Sequence, residues 1–200
     1  MAVEKRILTD AMQTFRIEAE SLAETAKVLE PEAFALAVEA LAGAPRIAAA
    51  GCGHTGIACR HFAHLMCCIE RPARFLSPAE AVHGGMGFLQ PGDVMLLASR
   101  GGKTDELMPI ADICRKKGVT VIAVTENLSS PLAEKADIVL AMKVTRECDP
   151  YNCQGTTSFA VTCAIFDALQ VAVLEHTGFR NEEFAVIHPH GAVGKRLNQK

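Results

Sequence analysis

Three short segments of this chain collect the residue types that hold anions and move protons. One is Ser99-Arg100-Gly101-Gly102-Lys103-Thr104. Its glycines leave backbone N–H groups uncovered, Ser99 and Thr104 supply hydroxyls, and a helix opening at Thr104 would add the partial positive charge of its N-terminus. That set suits a phosphate monoester. A plain strand-to-helix turn with Thr104 as its N-cap would use the same residues. A second segment, Gly51-Cys52-Gly53-His54-Thr55-Gly56, spells G-x-G-x-x-G between a strand and a helix. A dinucleotide site would also need an acidic residue at the end of the next strand. That strand ends Phe75-Leu76-Ser77, and Glu70 lies before it, so nicotinamide binding is set aside. Two such loops at adjacent strand ends favour phosphate over a pair of plain turns.

The third segment runs from Glu147 to Ser158 and carries Glu147 and Asp149 before a hydroxyl-rich helix start at Thr156. A helix cap accounts for Thr156 to Ser158 but not for two carboxylates at the end of a buried strand. Outside these segments, His83 follows a short helical turn and precedes Gly84-Gly85, while His188 and His190 flank Pro189. His83 and His188 lie in loops and read as functional. His61 and His64 fall within a periodic helix face and read as structural. Neither Cys148 with Cys153 nor His188 with His190 completes a four-ligand zinc set, so no metal is expected.

Strands at Arg46–Ala50, Ala73–Leu76, Asp93–Ala98, Val119–Val124 and Asp137–Ala141 must position these loops. Helices at Thr55–Cys68, Thr104–Lys117 and Thr156–Glu175 separate them. Near-continuous apolar strands imply burial on both faces, the signature of a parallel sheet between helical layers. The expected fold is therefore α/β: a three-layer α/β/α sandwich around a five-stranded parallel sheet. Ligands of such sheets collect at the carboxyl ends of the strands. Residues 1–44 read as an N-terminal helical hairpin, with Met12, Phe15, Ile17, Leu22 and Ala26 at roughly helical spacing, and residues 45–200 as the sandwich of one domain. The hairpin has no evident place in the sandwich and is expected to pack on neighbouring subunits.

With 200 residues and a net charge of −3, the chain carries no basic patch suited to nucleic acid. No stretch approaches the roughly 18 apolar residues of a membrane span, and the first residues lack the apolar core of a signal peptide. The expected location is the cytosol, where the eight cysteines stay reduced. Cys59, Cys67, Cys68, Cys114 and Cys163 lie in apolar helical surroundings and read as small hydrophobes.

Taken in order, GCGHTG, SPAEAVHGGMGFLQPGDVMLLAS, SRGGKTDEL, the Glu147–Ser158 loop and IHPHGAVGKRL resemble the KpsF/GutQ family of D-arabinose 5-phosphate isomerases, a group of SIS (sugar isomerase) domain proteins. The resemblance runs from about residue 15 to Leu197. It implies a flavodoxin-like SIS domain that interconverts an aldose and a ketose phosphate through an enediol, without an organic cofactor. It also implies a homotetramer whose sites are shared between subunits. His83, Glu147 and His188 match the family's catalytic segments, and Ser99 and Thr104 fall in its phosphate loop. With Gly51, Gly53, His54, Thr55, Gly101, Gly102 and Lys103 they complete the expected site. Two loops depart from the family pattern. His54 and Thr55 stand where lysine and serine are usual, while Gly101 and Lys103 replace a serine and an acidic residue. Relatives often continue into paired CBS modules, which these residues do not include.

The chemistry needs a base between adjacent carbons, and a carboxylate at the edge of an apolar sheet is suited to it. Glu147 is that candidate. Imidazole is the side chain suited to acid–base work at neutral pH, so His188 and His83 would serve the sugar oxygens, and His54 would bind or assist. A non-catalytic phosphosugar sensor on the same fold is the alternative, because fold does not fix function.

Overall fold

The computed structural model describes residues 2–199. Helices α1 (Ala2–Val28) and α2 (Pro31–Gly43) precede β1 (Ile47–Ala50), α3 (Gly53–Cys67), β2 (Ala73–Phe75) and α4 (Pro78–Ala81). Then come β3 (Val94–Ala98), α5 (Met108–Lys117), β4 (Thr120–Thr125), α6 (Pro131–Lys135) and β5 (Ile138–Ala141). Three helices follow: α7 (Thr157–Thr177), α8 (Asn181–Ile187) and α9 (Gly191–Leu197). The sheet is parallel throughout, in the order β2-β1-β3-β4-β5. The expected five-stranded sandwich is present.

Strand side chains alternate between two cores, which is why the strand sequences are apolar almost without interruption. Ile47, Ala49, Leu96, Ile122 and Val124 face α2, α3 and α7. Ala48, Met95, Leu97, Val121 and Ala123 face the layer built from α4, α5 and α6. Phe62 of α3 and Phe166 of α7 are fully buried, with ring centroids 4.9 Å apart. Each contributes about 2–3 kcal/mol by leaving water. The chain places β2 on one side of β1 and β3 on the other, so the direction of winding reverses there. A crevice at the carboxyl ends of β1 and β3 follows from that reversal.

Local details depart from the sequence expectations. Asp105–Leu107 forms a 3-10 turn, and α5 begins only at Met108, with a proline in its first turn. The segment around His188 is a bend between α8 and α9. Each of those helices has seven residues, too few for a periodic pattern to declare itself. Among the described residues α7 is long and apolar enough to cross a membrane, with a mean hydropathy of 1.7. This corrects the expectation that no stretch is apolar enough. In the fold, Val161, Ile165, Phe166, Leu169 and Val173 of α7 are core residues.

The N-terminal helices divide between two roles. α2 belongs to the sandwich, burying Ala37, Val38 and Leu41. α1 docks instead through Ile17, Ser21 and Thr25. Thr145 N–H donates to Ser21 Oγ (3.1 Å), and Lys143 N–H donates to Thr25 Oγ1 (3.0 Å). Thr25 Oγ1 in turn donates to the Lys143 carbonyl (2.9 Å). The helix thereby braces the chain just before Glu147. Of the apolar positions read from the sequence only Ile17 is buried; Met12, Phe15 and Leu22 face outward, Phe15 with 67% of its surface exposed.

Among the cysteines, Cys59 and Cys114 are buried hydrophobes as expected. Desolvation, with a smaller push from Asp137, drives the Cys114 thiol up to about 12. Cys67 is exposed, and its Sγ donates to the Ala73 carbonyl. His61 and His64 are also exposed rather than core, and His61 Nε2 lies 3.1 Å from Asp167 Oδ1 of α7.

Candidate active site

The loop after β3 closes on itself. Ser99 and Thr104 hydroxyls are 2.8 Å apart, and Gly102 N–H donates to Ser99 Oγ at 3.1 Å. Thr104 makes no capping bond to the turn that follows. The plain-turn explanation of that residue therefore lacks its central contact. Gly102 has φ +64°, and a Cβ there would overlap the Ser130 side chain, so the backbone passes where only glycine fits. Gly101 and Lys103 are exposed.

At the end of β1, Gly51 is buried while Gly53 and His54 open to solvent and Thr55 is half-buried. Gly56 explains part of the glycine pattern by packing alone, since a Cβ there would lie 2.6 Å from the Gly51 carbonyl oxygen. The His54 ring stands edge-on to Phe159, with centroids 6.4 Å apart, and covers Gly155. This brings His54 to the first turn of α7.

Glu147 reaches the same turn from the other side. It is 3% exposed. Its Oε2 accepts from Ser158 N–H (3.1 Å) and from the Thr156 hydroxyl (3.3 Å), while Oε1 accepts from Arg100 Nη1 (2.8 Å). The expected burial is present, but donors rather than apolar side chains surround the carboxylate. Glu147 also does what Thr156 was expected to do: it supplies the acceptor at the start of α7, where Thr156 makes no cap bond. Arg100 Nε donates to Glu126 Oε2 (2.9 Å), and Lys143 Nζ is 3.2 Å from Glu126 Oε1. Desolvation raises the Glu126 carboxyl, but Arg100, the Val144 N–H and Lys143 outweigh it and hold the group below its ordinary range. Asp149 proves to be a loop organiser, accepting from the N–H groups of Tyr151, Cys153 and Gln154. Desolvation raises the Asp149 carboxyl, but those three donors together outweigh it and hold the group below its usual value.

A cleft of about 390 Å³ adjoins these loops, lined by Gly51, Gly53, Arg60, Ser77, Pro78 and Glu106 among others. It takes in the first glycine loop but neither Ser99–Thr104 nor Glu147. Sequence reasoning misses Glu106. Its only signal is position, two residues past Thr104 on the turn that faces the first loop. Burial, and secondarily the Glu106 carboxylate, raises the thiol of Cys52 on the cleft wall.

The two loop histidines stand apart from this cluster. His83 is exposed between α4 and the turn at Gly85–Phe88, and it does not line the cleft. His188 packs against Phe184 with ring centroids 5.0 Å apart. Phe184 in turn shares a cavity with Cys68, Ile69 and Leu174, at the amino end of the sheet. From Ser158 to Leu174, α7 spans about 24 Å. Within one chain, then, His188 and Glu147 lie at opposite ends of the sandwich. The His188 Nδ1 is buried without a partner.

The profile of the SIS domain family matches residues 40–172, across the sheet and both glycine loops. This chain belongs to the SIS domain family. Its SIS domain is 40% identical over 157 residues to arabinose 5-phosphate isomerase KdsD of Pseudomonas aeruginosa, covering 78% of this chain and 48% of that protein. It is 32% identical over 196 residues to arabinose 5-phosphate isomerase KpsF of Escherichia coli, covering 98% and 62%. The chain thus spans about half to three-fifths of the length of these curated relatives. Among solved structures, a Listeria monocytogenes protein described as a candidate sugar-phosphate isomerase superposes with a TM-score of 0.90 at 41% identity, covering 93% of this chain and 98% of that one. An E. coli CFT073 protein in complex with arabinose 5-phosphate gives a TM-score of 0.86 at 26% identity, covering 92% and 98%.

Proposed function

We propose that this SIS domain is a sugar-phosphate aldose–ketose isomerase, with arabinose 5-phosphate as its first candidate substrate. The observation that carries the proposal is the buried Glu147 carboxylate, oriented by three donors and tied to a glycine-hydroxyl loop of the kind that holds phosphate. Relatives named for arabinose 5-phosphate isomerisation support the substrate class. In this scheme the Ser99–Thr104 loop, with Gly51, Gly53, His54 and Thr55 beside it, anchors the phosphate. Glu147 removes the proton on C2 of the open-chain aldose, and the electron pair passes into the enediol. Return of a proton to C1 gives the ketose, with the oxygen protons carried by His188 and His83. No atom is gained or lost, so the scheme calls for no redox cofactor.

Two further features belong to the same proposal. His188 lies far from Glu147 within a chain, and the outward face of α1 leaves Leu8, Met12, Phe15 and Leu22 uncovered. Both support a homo-oligomer, a tetramer by family resemblance, in which His188 of one subunit serves the Glu147 of another. A cytosolic setting fits eight free thiols.

The test is solvent exchange. Arabinose 5-phosphate incubated with the protein in deuterated water should take up label at the carbon next to the carbonyl. Glu147→Gln should slow that exchange at least about a hundredfold. Tight binding of pentose or hexose phosphates without label uptake would replace the isomerase with a phosphosugar sensor.

A further inference from the structure

We propose that Arg100 is a positioning residue that couples the Ser99–Thr104 loop to the Glu147 carboxylate; its kinetic test rests on the isomerase reading above. Arg100 lies inside the loop, between Ser99 and Gly101. Its main chain is fixed to the exit of β4, where its carbonyl accepts from Thr125 Oγ1 (3.0 Å) and from Glu126 N–H (3.0 Å). Its side chain then crosses to the exit of β5. Nε donates to Glu126 at 2.9 Å and Nη1 donates to Glu147 at 2.8 Å, so one planar fork joins two carboxylates. Glu126 is itself held by Val144 N–H and Lys143 Nζ, both at 3.2 Å. The guanidinium therefore has a fixed footing from which to aim Glu147.

The consequence concerns rotation. A carboxylate turns easily about its last torsion. The start of α7 holds Oε2, and Arg100 holds Oε1. Without Arg100, one oxygen would be pinned and the other free to swing. Lysine keeps the charge but lacks a fork able to join both carboxylates at once. Two of the five guanidinium N–H donors are committed to Glu126 and Glu147, which fixes the plane of the group between the two carboxylates. A phosphate settling against Ser99 and Gly102 would shift the loop that carries Arg100, and through it the base.

Two measurements test this. In the exchange assay, Arg100→Gln should lower kcat about tenfold to a hundredfold, the scale of a slightly misplaced reacting group. KM should move less than about threefold. Arg100→Lys should recover part of kcat. Glu126→Gln should give a smaller loss, and adding it to Arg100→Gln should cost nothing more, as for residues in one network. A change confined to KM, or fully additive losses, would overturn the assignment. The second measurement does not depend on turnover. With 13C-labelled glutamate, the Glu147 carboxyl resonance is identified by its loss in Glu147→Gln. Inorganic phosphate should shift it in the wild-type protein and not in Arg100→Gln, or shift it less in Arg100→Lys if the glutamine variant fails to fold. An equal shift in wild type and variant, or no shift in wild type, refutes the coupling. If wild type exchanges no hydrogen on any pentose or hexose phosphate, the isomerase reading falls, and the carboxyl resonance still decides the role of Arg100.

Discussion

The Glu147 region and the His188 bend carry the two residues proposed above to transfer protons, yet they are built in opposite ways. Glu147 is locked from three directions: by α7, by the β3 loop through Arg100, and by the α1-braced segment before it. His188 sits between two helices of seven residues each, packed on one phenylalanine, with a buried ring nitrogen unsatisfied. A buried polar atom without a partner costs about 1–3 kcal/mol. The contrast teaches that the contacts around Glu147 are made within one chain, while one ring nitrogen of His188 lacks a partner there. In the homo-oligomer proposed above, a second subunit would close the distance between the two residues.

The largest expected effect would break that comparison. His188→Asn should reduce exchange by about a hundredfold, the usual weight of an acid–base group. Mixing inactive His188→Asn subunits with inactive Glu147→Gln subunits should restore activity, since some pairs would combine one intact residue of each kind. Failure of the mixture to recover, in a sample shown by light scattering to be oligomeric, would place both residues in the service of one chain.

Gly102→Ala probes the locked half. Its left-handed backbone and the Ser130 side chain in its Cβ position should together cost about 3 kcal/mol or more. Urea unfolding measures this directly, and a loss below about 1 kcal/mol would mean that the loop yields. Removing one hydroxyl should do less to the fold and more to the ligand. Thr104→Val should weaken phosphosugar binding by about 1–3 kcal/mol in calorimetry, with the unphosphorylated sugar unaffected. Equal affinity of variant and wild type would remove Thr104 from the phosphate site.

The smallest effect concerns acid. The Glu126 carboxyl lies below its ordinary value of 4.5 in the folded protein. Its stabilising contribution is therefore present above that value and disappears as pH falls through the lower folded value. Glu126→Gln should flatten the fall of the melting temperature in this window and leave its slope near neutrality unchanged. Identical acid slopes in variant and wild type would show that the Arg100–Glu126 pair adds nothing to stability.

Much of this organisation is legible before folding. The apolar runs within Asp93–Ala98 and Val119–Val124 require burial on both faces, and glycine-rich segments directly after strands mark the carboxyl edge of a parallel sheet. Glu147 stands out less sharply: it lies six residues past the end of β5, in a loop that its carboxylate type, not an apolar run, singles out. Its partners are not legible. Arg100 and Glu147 are distant in sequence, and no local pattern links a loop after β3 to an exit from β5. Asp149 looks equivalent to Glu147 and is not, because its acceptors are used by its own turn. The outward face of α1 escapes the same reading, since Ser21 and Thr25 dock the helix through hydrogen bonds that no hydrophobic period records. The sequence by itself determined the sheet, the layers and the edge where ligands gather, through periodicity and backbone chemistry that act locally. Only the tertiary structure decided which charges meet across that edge and that His188 lies at the far end of α7, because those outcomes depend on packing between segments distant in the chain.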